Sequence, residues 1–200
     1  MAGSARVYRA YLGETPEISE DERLSSCFFT GHRDFLPGDD AEGYLSEAVD
    51  ALIARGVTHF YAGGARGFDT CAEITVLNSR LKCGDVRLTL ALPFEGYDHR
   101  GDRILFAQFG EITRRCDEIV YLRQAYTPDS YQARNMYMAD RSAFCVSWQK
   151  RPGGGTANAV AYARRRGVKI IPLAGGLSDG GLSDGGLPGG GLPGGSPRGA

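Results

Sequence analysis

Nothing in this 200-residue chain is long and apolar enough to span a bilayer, which takes about 18–20 successive apolar residues. The first residues also lack the apolar core of a secretory leader, so a cytoplasmic protein with no membrane partner is expected. Gly-Lys-Ser/Thr occurs nowhere, which removes the P-loop, and Gly63-Gly64 and Gly67 have the wrong spacing for G-x-G-x-x-G. No G-x-S-x-G elbow is present. The three histidines, His32, His59 and His99, have no metal-ligand spacing. The five cysteines, Cys27, Cys71, Cys83, Cys116 and Cys145, are odd in number and contain no CxxC pair. Neither a zinc site nor a disulfide framework is indicated, no metal or cofactor is expected, and the thiols read as small core residues in a reducing compartment. An excess of one charge is missing too: the net charge is −1 and the pI about 6.3. Such a balance carries no footprint for nucleic acid, which is not expected as a partner. The basic runs Arg114-Arg115 and Arg164-Arg165-Arg166 fall at the ends of predicted helices, where cations complement the helix dipole.

What is present fits one α/β domain: 42% hydrophobic and 24% charged residues in a chain of single-domain length. Residues 1–22 are polar, mixed in charge and without periodicity, and read as a loosely attached lead-in. From Gly175 the chain becomes GGLSDGGLSDGGLPGGGLPGGSPRGA, which holds 12 of the 29 glycines. Its four leucines have nothing to pack against, so ordering that backbone costs more than burial returns. Residues 174–200 are expected to be a disordered glycine-rich tail, leaving residues 23–173 as the folded domain. Within it, strand candidates at 26–29, 59–61, 86–92, 118–122, 144–148 and 168–173 alternate with helical patterns. Tyr44, Leu45, Ala48, Val49, Leu52 and Ile53 have amphipathic spacing, with Asp39-x-x-Glu42 as a capping box and Gly56 as a stop. Further helices are predicted at 68–81, 103–115, 131–141 and 156–166. The alternation predicts a Rossmann-like domain: a mostly parallel sheet with helices on both faces.

In such a sheet ligands bind beyond the carboxyl ends of the strands, so the loops that follow the strands are informative. They read TGHR (residues 30–33), GGARGFD (63–69), PFEGYDHR (93–100), Tyr126-Thr127, and RPGGGT (151–156). Two are glycine-rich and run directly into a helix, the arrangement in which backbone N–H groups hold an anion. Arg66 is suited to neutralise a phosphate as a bidentate donor. Asp69, in the first helical turn, serves either as a cap or as a ligand contact. Glu73, one turn later, reaches either a sugar hydroxyl in the crevice or a neighbouring arginine. His32, between Gly31 and Arg33, reads as a contact residue, and His59, inside an apolar strand, as a structural one.

Taken together, TGHR, GGARGFDTCAE, LPF, YQARNMYMADRSAFCVSW and GGTANAVAYARRRGVKII resemble, in order, the YpsA-like branch of the SLOG superfamily. The match covers nearly all of residues 24–172. SLOG domains are Rossmann-like and include the LOG phosphoribohydrolases and the DNA-binding DprA proteins; the YpsA-like branch is regarded as a binder or sensor of nucleotide-derived ligands. The resemblance implies binding of a nucleotide-derived small molecule through Thr30, Gly31, His32 and Arg33, then Gly63, Gly64, Arg66, Gly67 and Asp69. Arg134, Asn135 and Asp140 from the helix after the fourth of these strands, and Gly154, Gly155 and Thr156, complete the expected set; a homo-oligomer is compatible with it. Arg134 and Gly155-Thr156 match the LOG pattern, but the LOG catalytic glutamate position falls on Ala159. Without an acid there, N-glycosidic cleavage loses its general acid–base help, so binding is favoured over hydrolysis. The alternatives are a nucleoside-phosphate hydrolase using Glu73 or Asp69, and a protein-interaction module. The DprA-like function needs a basic groove over phosphates, and the near-neutral charge argues against it.

Overall fold

The computed structural model describes residues 4–35 and 40–173. Among these, seven strands form one sheet in which every pairing is parallel: β1 (Arg6–Arg9), β2 (Ser26–Gly31), β3 (His59–Ala62), β4 (Arg87–Leu92), β5 (Glu118–Tyr121), β6 (Phe144–Trp148) and β7 (Lys169–Pro172). The helices are α1 (Glu20–Leu24), α2 (Asp40–Ala54), α3 (Phe68–Cys83), α4 (Arg103–Arg115), α5 (Ser130–Asp140) and α6 (Gly155–Arg165). The order across the sheet is β1-β5-β4-β3-β2-β6-β7. From β2 the chain steps outward through β3, β4 and β5; α5 then carries it back to the other side of β2, where β6 and β7 extend the sheet the opposite way.

Side chains alternate along each strand, so each strand feeds both faces. Cys27, Phe29, Phe60, Leu88, Leu90 and Val146 pack with the apolar stripes of α2, α3 and α4, including Leu45, Val49, Val76 and Ile112. Their neighbours Phe28, Tyr61, Ala91, Val120 and Cys145 face Tyr137 and Met138 of α5 and Ala163 of α6. Burial on both faces explains why these strands read as near-continuous apolar runs. Helix α4 begins where the Asp102 carboxylate accepts from the N–H groups of Ile104 and Leu105 (3.0 and 3.1 Å), and it ends on Arg114-Arg115 as the dipole argument expects.

One feature departs from the sequence reading. Residues expected to form a loose lead-in contribute edge strand β1, which pairs with β5 in the register Arg6↔Glu118, and helix α1, closed by a Ser19–Glu22 capping box. β1 carries little apolar surface; backbone pairing and the Arg6–Glu118 ion pair (2.6 Å) hold it. His59 is structural as expected: it is buried, stacks on Tyr61, and its Nε2 lies 2.7 Å from Thr89 Oγ1, whose hydroxyl donates to Glu118 (3.0 Å). Burial, reinforced by Arg87, pushes the His59 pKa down to about 3, so the ring is neutral. Asp39 of the expected capping box and residues 174–200 lie outside the described residues. Among the described residues no helix is long and apolar enough to cross a membrane.

Candidate functional site

The strand order reverses between β2 and β6, and in open parallel sheets that reversal opens a crevice at the carboxyl ends of the two strands. A cavity of about 470 Å3 lies there. The loop after β2 contributes Thr30 to Asp34, the loop after β3 contributes Ala65, Arg66 and Asp69, and the loop after β6 contributes Arg151 and Gly153 to Thr156. Tyr131, Arg134 and Asn135 of α5 form a further wall. Helix α6 starts at this cavity on Gly154, which supplies no side-chain cap to its first N–H groups, whereas at the start of α3 the Phe68 and Thr70 N–H groups donate to the carbonyls of His32 and Ala65 (3.3 and 3.2 Å).

Four arginines line the cavity, Arg33, Arg66, Arg134 and Arg151, against two acids, Asp34 and Asp69. Arg66 is exposed at the rim. Arg151 is exposed and ion-paired with Asp34. Arg134 is buried: Nη1 donates to the Gly63 carbonyl (3.0 Å), and Nε and Nη2 donate to Asn135 Oδ1 (3.1 and 2.9 Å). It therefore joins α5 to the loop after β3 and carries its charge at the cavity floor. The guanidiniums of Arg33 and Arg134 lie 5.4 and 5.6 Å from the centre of the Tyr131 ring. His32 accepts a hydrogen bond at Nε2 from the Arg151 N–H (3.3 Å), so its proton resides on Nδ1; burial and the neighbouring Arg151 lower its pKa.

Of the two acids of GGARGFDTCAE, Asp69 lines the cavity and Glu73 does not. Glu73 is fully buried beneath the loop and takes no part in lining the cavity. Its Oε1 accepts from the Gly64 N–H (2.9 Å) while Oε2 has no partner, and the Gly64 carbonyl accepts from His99 Nε2–H (2.9 Å). Burial, and then the proximity of Asp69, push the Glu73 pKa well above its ordinary value, and the side chain holds the loop through the Gly64 N–H rather than facing the crevice. Asp69 is buried at the cavity edge and accepts from the Ala65 N–H (3.4 Å). Burial raises its pKa, offset by Arg134 and by backbone N–H groups, so it ties the loop rather than capping α3. Gly67 shows why the loop needs glycine: its φ is +79°, and a Cβ there would sit 2.5 Å from the Arg33 carbonyl oxygen.

Of the residues expected from sequence, the structure brings together Thr30, Gly31, His32, Arg33, Arg66, Asp69, Arg134, Asn135, Gly154, Gly155 and Thr156. Gly63, Gly64 and Gly67 shape the loop behind the wall instead of lining it. Asp140 is elsewhere, at the far end of α5, where it accepts from the Tyr162 hydroxyl (2.9 Å) and pairs with Arg166 (2.7 Å). Its short carboxylate is held by two partners from α6 and its C-cap, so it is removed from the site. Ala159, at the LOG glutamate position, is buried on α6. Asp34, Tyr131 and Arg151 were not expected. Tyr131 could have been found from its position three residues before Arg134, on the same helical face. Among the described residues no three His, Cys, Asp or Glu side chains gather as a metal site.

No family model matches the chain, and no curated protein matches it. Solved structures do. DNA processing protein A from Helicobacter pylori, described for its single-stranded DNA binding mode, aligns with a TM-score of 0.58 at 17% identity over 76% of this chain and 66% of that one. DprA from Streptococcus pneumoniae aligns with a TM-score of 0.54 at 13% identity over 74% of this chain and 50% of that one. The chain thus spans just under two thirds of the first protein and half of the second. At these identities the likeness is one of fold alone, a Rossmann-like α/β fold.

These neighbours overturn two expectations. Sensing of a nucleotide-derived small molecule, with nucleic acid set aside as a partner, gives way to the single-stranded DNA binding described for a protein of this fold. Neither the hydrolase nor the protein-interaction alternative gains support from them. The physical error lay in the charge argument. Net charge is a whole-chain sum, whereas a polyanion meets the local field. Here Glu73 is buried and pushed toward neutrality, and Glu111 and Glu118 are paired with arginines away from the crevice, which is left with an excess of arginine.

Proposed function

We propose that the crevice binds single-stranded nucleic acid, holding consecutive phosphates against Arg33, Arg66 and Arg151 and against the N-terminal amides of α6. The observation that carries this reading is the convergence of four arginines and the N-terminus of α6 on one cavity at the reversal of strand order. Guanidinium forks and backbone amides hold phosphate oxygens without reading bases, which suits a sequence-tolerant strand binder. The shared fold of a single-stranded DNA binder supports the same partner. Arg134, three of whose five N–H groups donate to Gly63 and Asn135, contributes its field and fixes the floor.

Within this reading the chain is a YpsA-like member of the superfamily, its TGHR and GGARGFD motifs supplying Arg33 and Arg66. Five free thiols, four of them buried, fit a cytoplasmic setting. The test is fluorescence anisotropy with an end-labelled oligothymidine and with a blunt duplex of equal length. The single strand should bind in a salt-sensitive manner, more tightly than the duplex, and free mononucleotides should compete poorly because each engages only one phosphate position. Absence of single-strand binding at low salt would refute the proposal.

A further inference from the structure

Beside the crevice, Phe94 and Tyr97 of the loop after β4 and Tyr126 of the loop after β5 continue an aromatic group from Tyr131 of α5. Phe94 and Tyr126 lie 5.8 Å apart, Tyr126 and Tyr131 6.3 Å apart, and Phe94 and Tyr97 5.5 Å apart, each pair edge to face. Tyr126 is 61% exposed, and Phe94 and Tyr131 are half-buried. A lone exposed aromatic side chain on a surface calls for no explanation. This one belongs to a continuous shelf, and its inner member, Tyr131, is also a wall of the crevice. At that junction the Arg33 guanidinium stands 5.4 Å from the Tyr131 ring, so cation and aromatic faces follow one another across the opening.

Building on the reading of the crevice as a strand-binding site, we propose that the shelf formed by Tyr126, Tyr131 and Phe94 stacks the bases of the bound strand and sets its preference for single over double strands. The occupant follows from continuity. A strand whose phosphates lie along Arg33 and Arg66 must send its bases to one side, and on the β4–β5 side they meet this shelf. Every base has a π-face, so an aromatic platform accepts any sequence, and the edge-to-face packing behind Tyr126 and Tyr131 holds the rings in place. In a duplex those π-faces are already covered by neighbouring bases, so only the backbone contacts remain available.

The test uses the full chain with an oligothymidine carrying one 2-aminopurine, whose fluorescence is quenched by stacking, and with its duplex. Tyr126→Ala should weaken single-strand binding about tenfold, the order expected for one lost base stack. It should also reduce the quench, erase most of the single-strand preference, and leave both melting temperature and salt dependence unchanged. Tyr126→Phe should retain wild-type behaviour, since the ring rather than the hydroxyl does the stacking. Arg66→Ala should lower the salt dependence while preserving the quench at saturation. If Tyr126→Ala binds and quenches as wild type does, the shelf is wrong while the crevice reading stands. If wild type binds neither strand nor duplex, both fail.

Discussion

Replacing Arg66 by alanine removes an exposed guanidinium at the crevice rim without touching the core, since its side chain makes no buried contact. Phosphate contacts release counterions, so the salt dependence of binding counts them. If Arg33, Arg66 and Arg151 each neutralise one phosphate of a single strand, the slope of log K against log salt is about −2.1, at about −0.7 per phosphate. Raising salt from about 50 to about 200 mM should then weaken wild-type binding by roughly 18-fold. With Arg66 gone, two contacts remain, the slope falls to about −1.4, and the same change costs only roughly sevenfold. The Asp34 carboxylate already pairs with Arg151, so Arg151 releases less than a full counterion and these slopes are upper values. At fixed low salt the variant should bind about tenfold more weakly, the low end for a charge-assisted hydrogen bond on an exposed side chain. Anisotropy titrations at four salt concentrations measure both quantities. An unchanged slope in the variant would show that Arg66 contacts no phosphate and would refute the assignment of this loop.

Two further perturbations probe the support beneath the site. Glu73 has a folded-state pKa raised above its unfolded value near 4.5, so from that pH upward, through the raised value, the native state binds more protons than the unfolded state and stability falls as pH rises. Glu73→Gln keeps the acceptor for the Gly64 N–H and cannot ionise; its melting temperature relative to wild type should rise between pH 5 and pH 8, and a constant difference would mean that Glu73 is not held neutral. Gly67→Ala places a Cβ 2.5 Å from the Arg33 carbonyl oxygen at a φ of +79°. The backbone conformation alone, φ +79° with ψ −117°, should cost about 1–3 kcal/mol, and single-strand binding should weaken because Arg33 is displaced; wild-type melting and binding together would show that the loop is not constrained as described.

The amino-acid sequence by itself determined the elements from β2 to β7 nearly to the residue, because each inner strand is buried on both faces and each helix shows its apolar stripe. It also determined that arginine and glycine would follow the strands, since motif and strand end are adjacent in the chain. It did not reveal β1, a strand of two arginines around Val7 and Tyr8 that is held by pairing with β5 rather than by its own hydrophobicity. Nor did it reveal the order of the strands. That order depends on which face each connection crosses, and it is what places the loop after β6 beside the loop after β2, bringing Arg151 to His32 and Asp34 across more than a hundred residues. Asp140 and Arg134 are near neighbours on one helix, yet packing sends one to the crevice and the other to Arg166, because residues six apart on a helix point to different sides. The sign of the local field was likewise a tertiary outcome: summed along the chain the charges nearly cancel, and only folding decides which acids are buried, which are paired, and where the arginines are left to face an anion.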